Sequence, residues 1–217
     1  TTALLTGLDT VSGGSGTDVL SVTDASTIVD DDFTSVTSVE TLTLADAAHT
    51  VTLGSNATSA GIVTVNGGTD VDTITLGALY TNNVTIAAGT GADIITATNY
   101  TGTLTLTGGA GVDTLNMGSG TTTFTGGAAA DIVNVMASGN LGSADTITGG
   151  TATDVINLSA AMTVVDADFT NVTEVTTLTA GNVAVNITLG AEAKEAGIVT
   201  ITLGNATNTV NASAYTS

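Results

Sequence analysis

Six aspartates of this 217-residue chain follow glycine-rich turns at the same place in a recurring nine-residue segment. In the clearest example, residues 108–116 read GGAGVDTLN, so Asp113 leaves a turn made by Gly108, Gly109 and Gly111. Glycine adopts the positive φ that such a turn requires, at little steric cost. Carboxylate and backbone carbonyl oxygens are the ligands that hard divalent cations prefer. The pattern therefore predicts cation sites at Asp18, Asp72, Asp93, Asp113, Asp131 and Asp154.

The nine-residue period continues beyond these turns. Residues 99–134 divide into four consecutive nines, NYTGTLTLT, GGAGVDTLN, MGSGTTTFT and GGAAADIVN. Each nine joins a turn to a stretch with alternating apolar residues, which is typical of a β-strand. The period predicts one strand per nine residues, stacked coil upon coil. The segments that contain the aspartates are 13–21, 67–75, 88–96, 108–116, 126–134 and 149–157.

These segments resemble the calcium-binding nonapeptides of the repeats-in-toxin (RTX) family, G-G-x-G-x-D-x-U-x with U large and apolar. Segments 13–21 and 108–116 match fully, and the other four match in part. The resemblance implies a parallel β-roll that binds several Ca²⁺ ions. The predicted metal-site residues are Gly13, Gly14, Gly16, Asp18, Gly67, Gly68, Asp70, Asp72, Gly89, Gly91, Asp93, Gly108, Gly109, Gly111, Asp113, Gly126, Gly127, Asp131, Asp145, Gly149, Gly150 and Asp154.

We expect an all-β fold, a right-handed parallel β-solenoid of roughly ten or eleven coils with two nonapeptide strands each. Coils about 4.8 Å apart make a rod about 50 Å long. The U positions are predicted to point inward, and nearly all are Leu or β-branched residues, which suit a narrow strand-lined core. They are Val11, Leu20, Val29, Val65, Ile74, Ile86, Ile95, Leu106, Leu115, Phe124, Val133, Ile147, Ile156, Val165, Ile201 and Val210.

A longer duplication divides this single solenoid, which we expect to run through residues 1–217. Residues 13–68 recur at 149–204, an offset of 149 − 13 = 136, and flank a central nonapeptide stack at 67–148. Residues 31–57 and 167–193 lack the glycine–aspartate pattern. They are predicted to form either ordinary coils or a wider, three-sided excursion. We interpret the chain as a slice of a larger repetitive protein of the surface-layer kind.

Successive nine-residue segments fall on opposite edges of a two-strand coil. This alternation decides at which edge ions are expected. The six aspartates are predicted to lie along one edge, because they recur at whole numbers of coils. On the other edge the same position is mostly Thr, Val or Leu, with Asp9 and Asp145 as exceptions. The RTX pattern carries metal on both edges. Here we expect ions mainly along one edge.

The stacked carboxylates need a counter-charge. At about 5 Å, neighbouring carboxylates repel by roughly 3 kcal/mol at an effective dielectric near 20, and the only basic residue is Lys194. Ca²⁺, with about six to eight oxygen ligands, fits better than Mg²⁺. Ala129 and Ala152 replace the third glycine, which predicts weak or empty sites there, whereas Asp70 should strengthen the Asp72 site. The alternative is that these aspartates only cap solvated turns.

The composition narrows the partners and the location. The net charge is −19, so nucleic acid and anionic membrane surfaces are excluded as partners. Apolar runs stay shorter than a bilayer requires, so membrane insertion is not expected. Without Cys, an extracellular chain needs another means of stabilisation, for instance metal. Together with the resemblance, this favours a secreted protein, extracellular or at the bacterial cell surface.

Three further features have weaker interpretations. The acidic residues Asp30, Asp31 and Asp32, matched by Asp166 and Asp168, are predicted to form solvated turns or to hold another cation. His49, the only histidine, is predicted to be a surface or strand residue without catalytic partners. An apolar strip of outward residues is expected either to pack against another copy or to be covered by the insertions; its members are Val19, Ile94, Ile132 and Val155.

Three classes of function compete. The favoured one is a structural, calcium-stabilised module of a surface-layer, matrix or filament protein that self-associates with further copies or adjoining repeats. The alternative is an adhesin or ice-binding segment that uses outward threonines, with cell-surface polysaccharide as a possible partner, although insertions at Leu76, Ala97 and Val135 are expected to interrupt that array. An enzyme is not expected, because one Lys and one His supply too few basic groups.

Overall fold

The computed structural model describes residues 5–216. They form a parallel β-solenoid of about nine turns, which confirms the all-β class and the predicted architecture. No helix in this part of the chain is long and apolar enough to cross a bilayer.

The first part of the chain contains short strands, one 3-10 helix and one short α-helix. In order, these are β1 (Val11–Ser12), β2 (Val19–Val22), β3 (Thr27–Ile28), the 3-10 helix Asp30–Phe33, β4 (Val36–Thr37), β5 (Thr41–Leu44), β6 (Thr50–Leu53), α1 (Ser55–Ala60) and β7 (Thr64–Asn66).

The central part is built of strands alone. They are β8 (Thr73–Leu76), β9 (Val84–Gly89), β10 (Ile94–Thr96), β11 (Leu104–Gly109), β12 (Thr114–Met117), β13 (Thr122–Gly127) and β14 (Ile132–Val135).

The last part repeats the elements of the first. They are β15 (Thr146–Gly150), β16 (Val155–Leu158), β17 (Met162–Val164), the 3-10 helix Asp166–Phe169, β18 (Val172–Thr173), β19 (Thr177–Ala180), β20 (Val185–Thr188), α2 (Ala191–Glu195), β21 (Thr200–Leu203) and β22 (Thr209–Asn211).

Two long parallel sheets run along the solenoid. The nine-stranded sheet has the order β21-β19-β16-β14-β12-β10-β8-β6-β3, and the eight-stranded sheet has the order β18-β15-β13-β11-β9-β7-β5-β2. Smaller sheets, β1-β4 and β17-β20-β22, add a third side at the two ends. Residues 31–57 and 167–193 therefore belong to three-sided coils, while the central coils have two sides.

Most coils are longer than two nine-residue segments, which explains why there are about nine coils and not ten or eleven. Leu106 pairs with Phe124, a coil of 124 − 106 = 18 residues. Ile147 pairs with Val172, a coil of 172 − 147 = 25 residues. The additional residues lie in the turns and in the third side, so the strands stay in register.

The predicted inward positions are buried in the centre of the solenoid, but some of those near its ends are exposed. Ile74, Ile95 and Leu115 are fully buried, as expected. Val29 and Val165 are each 44% exposed, whereas Ile28 and Val164 point inward. The prediction was wrong there because a 3-10 helix begins directly after each valine and turns the chain outward. Val210 is exposed in β22, which has a neighbour on one side only.

Candidate metal centre

Five of the six predicted aspartates form one buried column. Each directly precedes a strand of the nine-stranded sheet, and the residues that follow them pair in register from Thr73 through Ile94, Thr114 and Ile132 to Val155. All five side chains are at most 2% exposed. The aspartate column consists of Asp72, Asp93, Asp113, Asp131 and Asp154.

Asp18 does not belong to the column, so the prediction that all six share one edge was wrong. It precedes β2 in the eight-stranded sheet. The spacing 72 − 18 = 54 is six nines, but two coils of that sheet, from Leu20 to Leu42 to Val65, already take 65 − 20 = 45 residues. The half-coil that follows brings the chain to the other edge. The Asp18 amide donates to Glu40 Oε2 at 2.9 Å.

One oxygen of every column carboxylate is used by the backbone. The amide of Asp72 donates to Asp93 Oδ1 at 2.7 Å, and that of Asp93 donates to Asp113 Oδ1 at 2.8 Å. The same bond joins Asp113 to Asp131 and Asp131 to Asp154, both at 2.7 Å. Each side chain therefore ties its coil to the preceding coil, a role that the nonapeptide pattern did not predict.

The second oxygen has no partner. Oδ2 of all five column aspartates is buried and makes no hydrogen bond within the described chain. It points at the first glycine of the turn: a Cβ on Gly108 or Gly126 would overlap Oδ2 of Asp113 or Asp131, and one on Gly149 would lie 2.6 Å from Oδ2 of Asp154. A buried carboxylate oxygen without a donor is costly. The first glycine of each turn therefore lets the carboxylate pack directly against the backbone.

The predicted glycines build these turns. Gly89, Gly109, Gly127 and Gly150 have φ between 118° and 136°, which residues with a Cβ rarely adopt. Coil-to-coil bonds also pass through the turns, as where the Ala110 amide donates to the Gly89 carbonyl at 3.2 Å. The remaining predicted glycines of the column lie in the same set of turns, namely Gly67, Gly68, Gly91 and Gly111, whereas Gly13, Gly14 and Gly16 belong to the separate Asp18 turn.

Burial makes three carboxylates of the column, those of Asp93, Asp113 and Asp131, hard to ionise. It is the main cause that raises the pKa of Asp113 to about 7, and the charges of Asp93 and Asp131 add to it. Burial likewise raises the pKa of Asp93 and of Asp131 to about 6. The hydrogen bond from the neighbouring amide opposes this shift in each case. The column therefore favours either protons or a positive ion.

Asp145 and Asp70, the other predicted ligands, have different surroundings. Asp145 lies before β15 at the other edge, and both of its oxygens accept backbone amides, from Thr122 at 2.8 Å and from Gly142 at 3.0 Å. Burial raises the pKa of Asp145 as well. Asp70 is exposed, whereas Asp72 beside it is buried. The structure thus gives Asp145 the role of a turn cap and leaves Asp70 outside the buried column.

His49 ends the column and is not the surface residue that we expected. It is buried, its amide donates to Asp72 Oδ1 at 2.8 Å, and its Nδ1 lies 3.2 Å from the same oxygen. Ser26 precedes β3, one coil earlier at the same position, so Ser26, His49 and Asp72 follow the order of a hydrolytic triad. However, Ser26 Oγ and His49 Nε2 are both buried and make no hydrogen bond in the described chain.

The acidic clusters near Asp30 and Asp166 stabilise helices. Asp30 accepts the amides of Gly54, Asn56 and Ala57 at 2.7–3.1 Å, at the start of α1. Asp166 accepts the equivalent amides of Gly190, Glu192 and Ala193 at 2.7–3.2 Å. Asp30 and Asp166 therefore act as helix caps, and not as the solvated turns or cation ligands that we expected. The 136-residue repeat was the available signal, because both aspartates recur at the same place in it.

The chain matches no protein-family model, no curated protein and no solved structure.

The donor set of the aspartate column fits a hard divalent cation. Within residues 5–216, no three His, Cys, Asp or Glu side chains are grouped as a metal site by themselves. Backbone oxygens of the turns would have to complete the coordination, as Ca²⁺ permits. The unpartnered Oδ2 atoms supply the carboxylate part of such a site.

Proposed function

We propose that this chain is a structural β-solenoid module of the RTX type, that its aspartate column binds Ca²⁺, and that it belongs to a secreted surface-layer, matrix or filament protein. The observation that supports this most is the repetition of one buried, unpartnered carboxylate oxygen in five successive coils. A single such atom would be a local defect. Five in register are a continuous row of acceptors.

Charge gives the reason for a cation. The column lies in a chain of net charge −19 whose only Lys or Arg is Lys194. The Nζ of Lys194 donates to the Thr216 carbonyl at 2.7 Å, far along the chain from the column. Divalent cations would neutralise the buried carboxylates, since the only Lys or Arg side chain of the chain is bonded elsewhere.

The ligands would be Oδ2 of the column aspartates together with backbone oxygens of the adjoining turns. The bound ion supplies positive charge and links one turn to the next. The chain itself supplies the spacing, since the Oδ1 hydrogen bonds hold each carboxylate at the end of its strand. Such a module needs metal for rigidity, which suits a chain without disulfides outside the cell.

Thermal unfolding tests the proposal. An ion that binds only the folded chain must raise the melting temperature of the chain. We expect a clear rise with millimolar Ca²⁺ relative to chelator, and a smaller rise for Asp113→Asn, which keeps a carbonyl acceptor for the Asp93 amide. Asp145→Asn is the matched control, because Asp145 is a turn cap: its calcium-dependent rise should equal that of the wild type. Equal melting with calcium and with chelator would refute calcium binding.

The outer face of the eight-stranded sheet supports a second candidate, an adhesin or ice-binding function. Its threonines pair in register along six strands: Thr41, Thr64, Thr85, Thr105, Thr123 and Thr146. Thr85, Thr105 and Thr146 are exposed, whereas Thr41 is buried. The expectation that insertions interrupt this array was wrong, because residues 77–83, 97–103 and 136–145 lie in turns between the two sheets.

Crystal shaping separates this candidate from the structural one. If the threonine face binds ice, the wild type should shape growing ice crystals and Thr105→Lys with Thr123→Lys should not. Binding to neutral polysaccharide by the wild type alone would favour an adhesin. If the folded protein shows neither activity, the structural function has no competing proposal.

A further inference from the structure

The outer face of the nine-stranded sheet carries an aliphatic residue on each of five successive coils. We define the aliphatic strip as Val71, Ile94, Val112, Ile132 and Val155. Strand pairing places Thr73, Ile94, Thr114, Ile132 and Val155 in one rank, and Val71 and Val112 lie two residues before the first and third of them. Val19, expected in this strip, belongs instead to β2 of the eight-stranded sheet.

Large and small residues alternate along the strip. Where the first residue of the strand is Thr73 or Thr114, the residue two positions earlier is Val71 or Val112. Where the first residue of the strand is Ile94 or Ile132, the residue two positions earlier is alanine. Val71 and Val112 are each 48% exposed and Ile94 is 40% exposed, so the insertions do not cover them. The surface thus has regularly spaced projections and hollows.

The polar residues beside the strip are already hydrogen-bonded to one another. Asn134 Nδ2 donates to Asn116 Oδ1 and Asn157 Nδ2 donates to Asn134 Oδ1, both at 2.8 Å. Asn116 Nδ2 donates to Thr96 Oγ1 at 3.1 Å, and Thr179 Oγ1 donates to Asn157 Oδ1 at 2.9 Å. Because these groups satisfy one another, removing water from this face costs less than for a face of free polar groups.

The distribution of charge restricts what can cover this face. No strand in the described chain contains a charged residue, so all 20 acidic residues lie in turns, helices or loops. A basic partner would find its counter-charges at the edges and not on the sheet. The face also lacks the aromatic residues on which sugar rings commonly stack. A neutral β-surface with the same alternation of sizes is its best complement, and a second copy of this chain provides one.

We propose that two copies of the chain, related by a two-fold axis, associate through the outer faces of their nine-stranded sheets, with the aliphatic strips on the five middle strands at the centre of the contact. In such an isologous contact, the projections of one copy can enter the hollows of the other. Nine strands about 4.8 Å apart and about 13 Å long give about 560 Å² per copy. The total of about 1,100 Å² is at the lower end for specific interfaces. The contact is therefore weak, with association at high protein concentration.

Analytical ultracentrifugation over a wide concentration range tests this, with Ile132→Lys in the strip and Thr105→Lys on the eight-stranded sheet as a control of equal charge. We expect the wild type and Thr105→Lys to dimerise alike, and Ile132→Lys to dimerise at least about tenfold more weakly. Val112→Lys, in an exposed turn, is a second strip variant in case Ile132→Lys does not fold. Circular dichroism establishes folding.

Every strip residue is the chain neighbour of a column aspartate, so the experiment is run both with Ca²⁺ and with chelator. A wild type that stays monomeric at the highest concentration in both conditions would overturn the proposal. Equal weakening by Ile132→Lys and Thr105→Lys would also overturn it. Calcium binding is judged separately, from the melting temperatures, so that one idea can fail without the other.

Discussion

At the scale of single residues, aspartate has three distinct roles in this molecule. Asp113 is buried in the column with one oxygen bonded and one without a partner. Asp145 is buried with both oxygens bonded to amides. Asp30 collects three amides at the start of α1. The number of amide donors that reach each carboxylate separates a candidate ligand from a cap.

Two substitutions at Asp113 separate its structural role from its ionic role. In chelator, Asp113→Ala should lower the free energy of unfolding by about 1–3 kcal/mol, because the buried amide of Asp93 loses its acceptor. Asp113→Asn should cost clearly less, since its carbonyl oxygen can replace Oδ1. Urea unfolding measures both. Equal losses for the two variants would contradict the hydrogen-bond role of Oδ1.

The buried carboxylates also predict how stability depends on pH. The pKa of Asp113 is raised to about 7 and those of Asp93 and Asp131 to about 6, from 3.8. Between about pH 4 and pH 7 the folded chain therefore binds more protons than the unfolded chain, so this contribution to stability falls as pH rises. In chelator, we expect a higher melting temperature at pH 5 than at pH 7.5.

A variant with Asn at positions 93, 113 and 131 is the control for this pH effect. It should lose the gain at pH 5, because its amides do not titrate. With Ca²⁺ present the wild-type trend should weaken or reverse, because the ion competes with protons for the same oxygens. A wild type and a triple variant with the same pH dependence would show that these groups titrate normally.

At the scale of elements, the repeat predicted strands well and the short helices poorly. The alternation around Ile74, Leu115 and Val133 was sufficient to place β8, β12 and β14. The 3-10 helix Asp30–Phe33 was missed although it has a local cap, the Asp32 carboxylate that accepts the Val29 amide at 2.9 Å. α1 had no local signal, because its cap comes from the preceding coil: Asp30 accepts the Gly54 amide 24 residues further along the chain. Long-range capping of this kind is not readable from neighbouring residues.

The caps of α1 and α2 can be tested directly. Asp30→Ala and Asp166→Ala each remove the acceptor of three amides, and each should lower the free energy of unfolding by about 1–3 kcal/mol. Asp31→Ala is the control: Asp31 is exposed, so we expect a change within about 0.5 kcal/mol. Chemical denaturation of the three variants provides the comparison. A loss at Asp31 as large as at Asp30 would show that only charge matters there.

The turns tolerate a Cβ at some glycines and not at others. Gly109 has φ 119°, and a Cβ there would overlap the Gly89 carbonyl, whereas nothing lies within 4 Å of a Cβ on Gly142. Gly109→Ala should destabilise the fold by more than about 3 kcal/mol or prevent folding. Gly142→Ala should be nearly neutral. Melting temperatures decide this, and a mild effect at Gly109 would mean that the turn is looser than described.

At the scale of the whole molecule, the sequence predicted the solenoid and its core but misjudged the length of a coil. The nonapeptide was taken as half a coil throughout, which holds from Leu106 to Phe124 but not from Ile147 to Val172. The same error placed Asp18 in the column. The third side of the end coils arises from 3-10 helices and short strands that carry no nonapeptide signature, so their length was not predictable from the period.

Because each coil contacts mainly its neighbours, one whole coil should be removable. Residues 99–116 are two nines in the central stack, and deleting them joins equivalent positions. We expect this deletion to leave a folded solenoid with one column aspartate fewer. Deleting residues 108–116 alone removes half a coil and moves every later strand to the opposite sheet, so it should abolish cooperative unfolding. Circular dichroism melts distinguish them, and equal tolerance of both would contradict the stacking order.

The central claim is that divalent cations occupy the aspartate column. Anomalous diffraction from crystals grown with Ca²⁺ tests it most directly, since it locates each ion. We expect a row of ions beside Oδ2 of Asp72, Asp93 and Asp113, weaker or empty sites beside Asp131 and Asp154, where Ala129 and Ala152 replace the third glycine, and none at Asp145. Calcium-loaded crystals with no ions beside these oxygens, or with ions only at the exposed acidic turns, would contradict it.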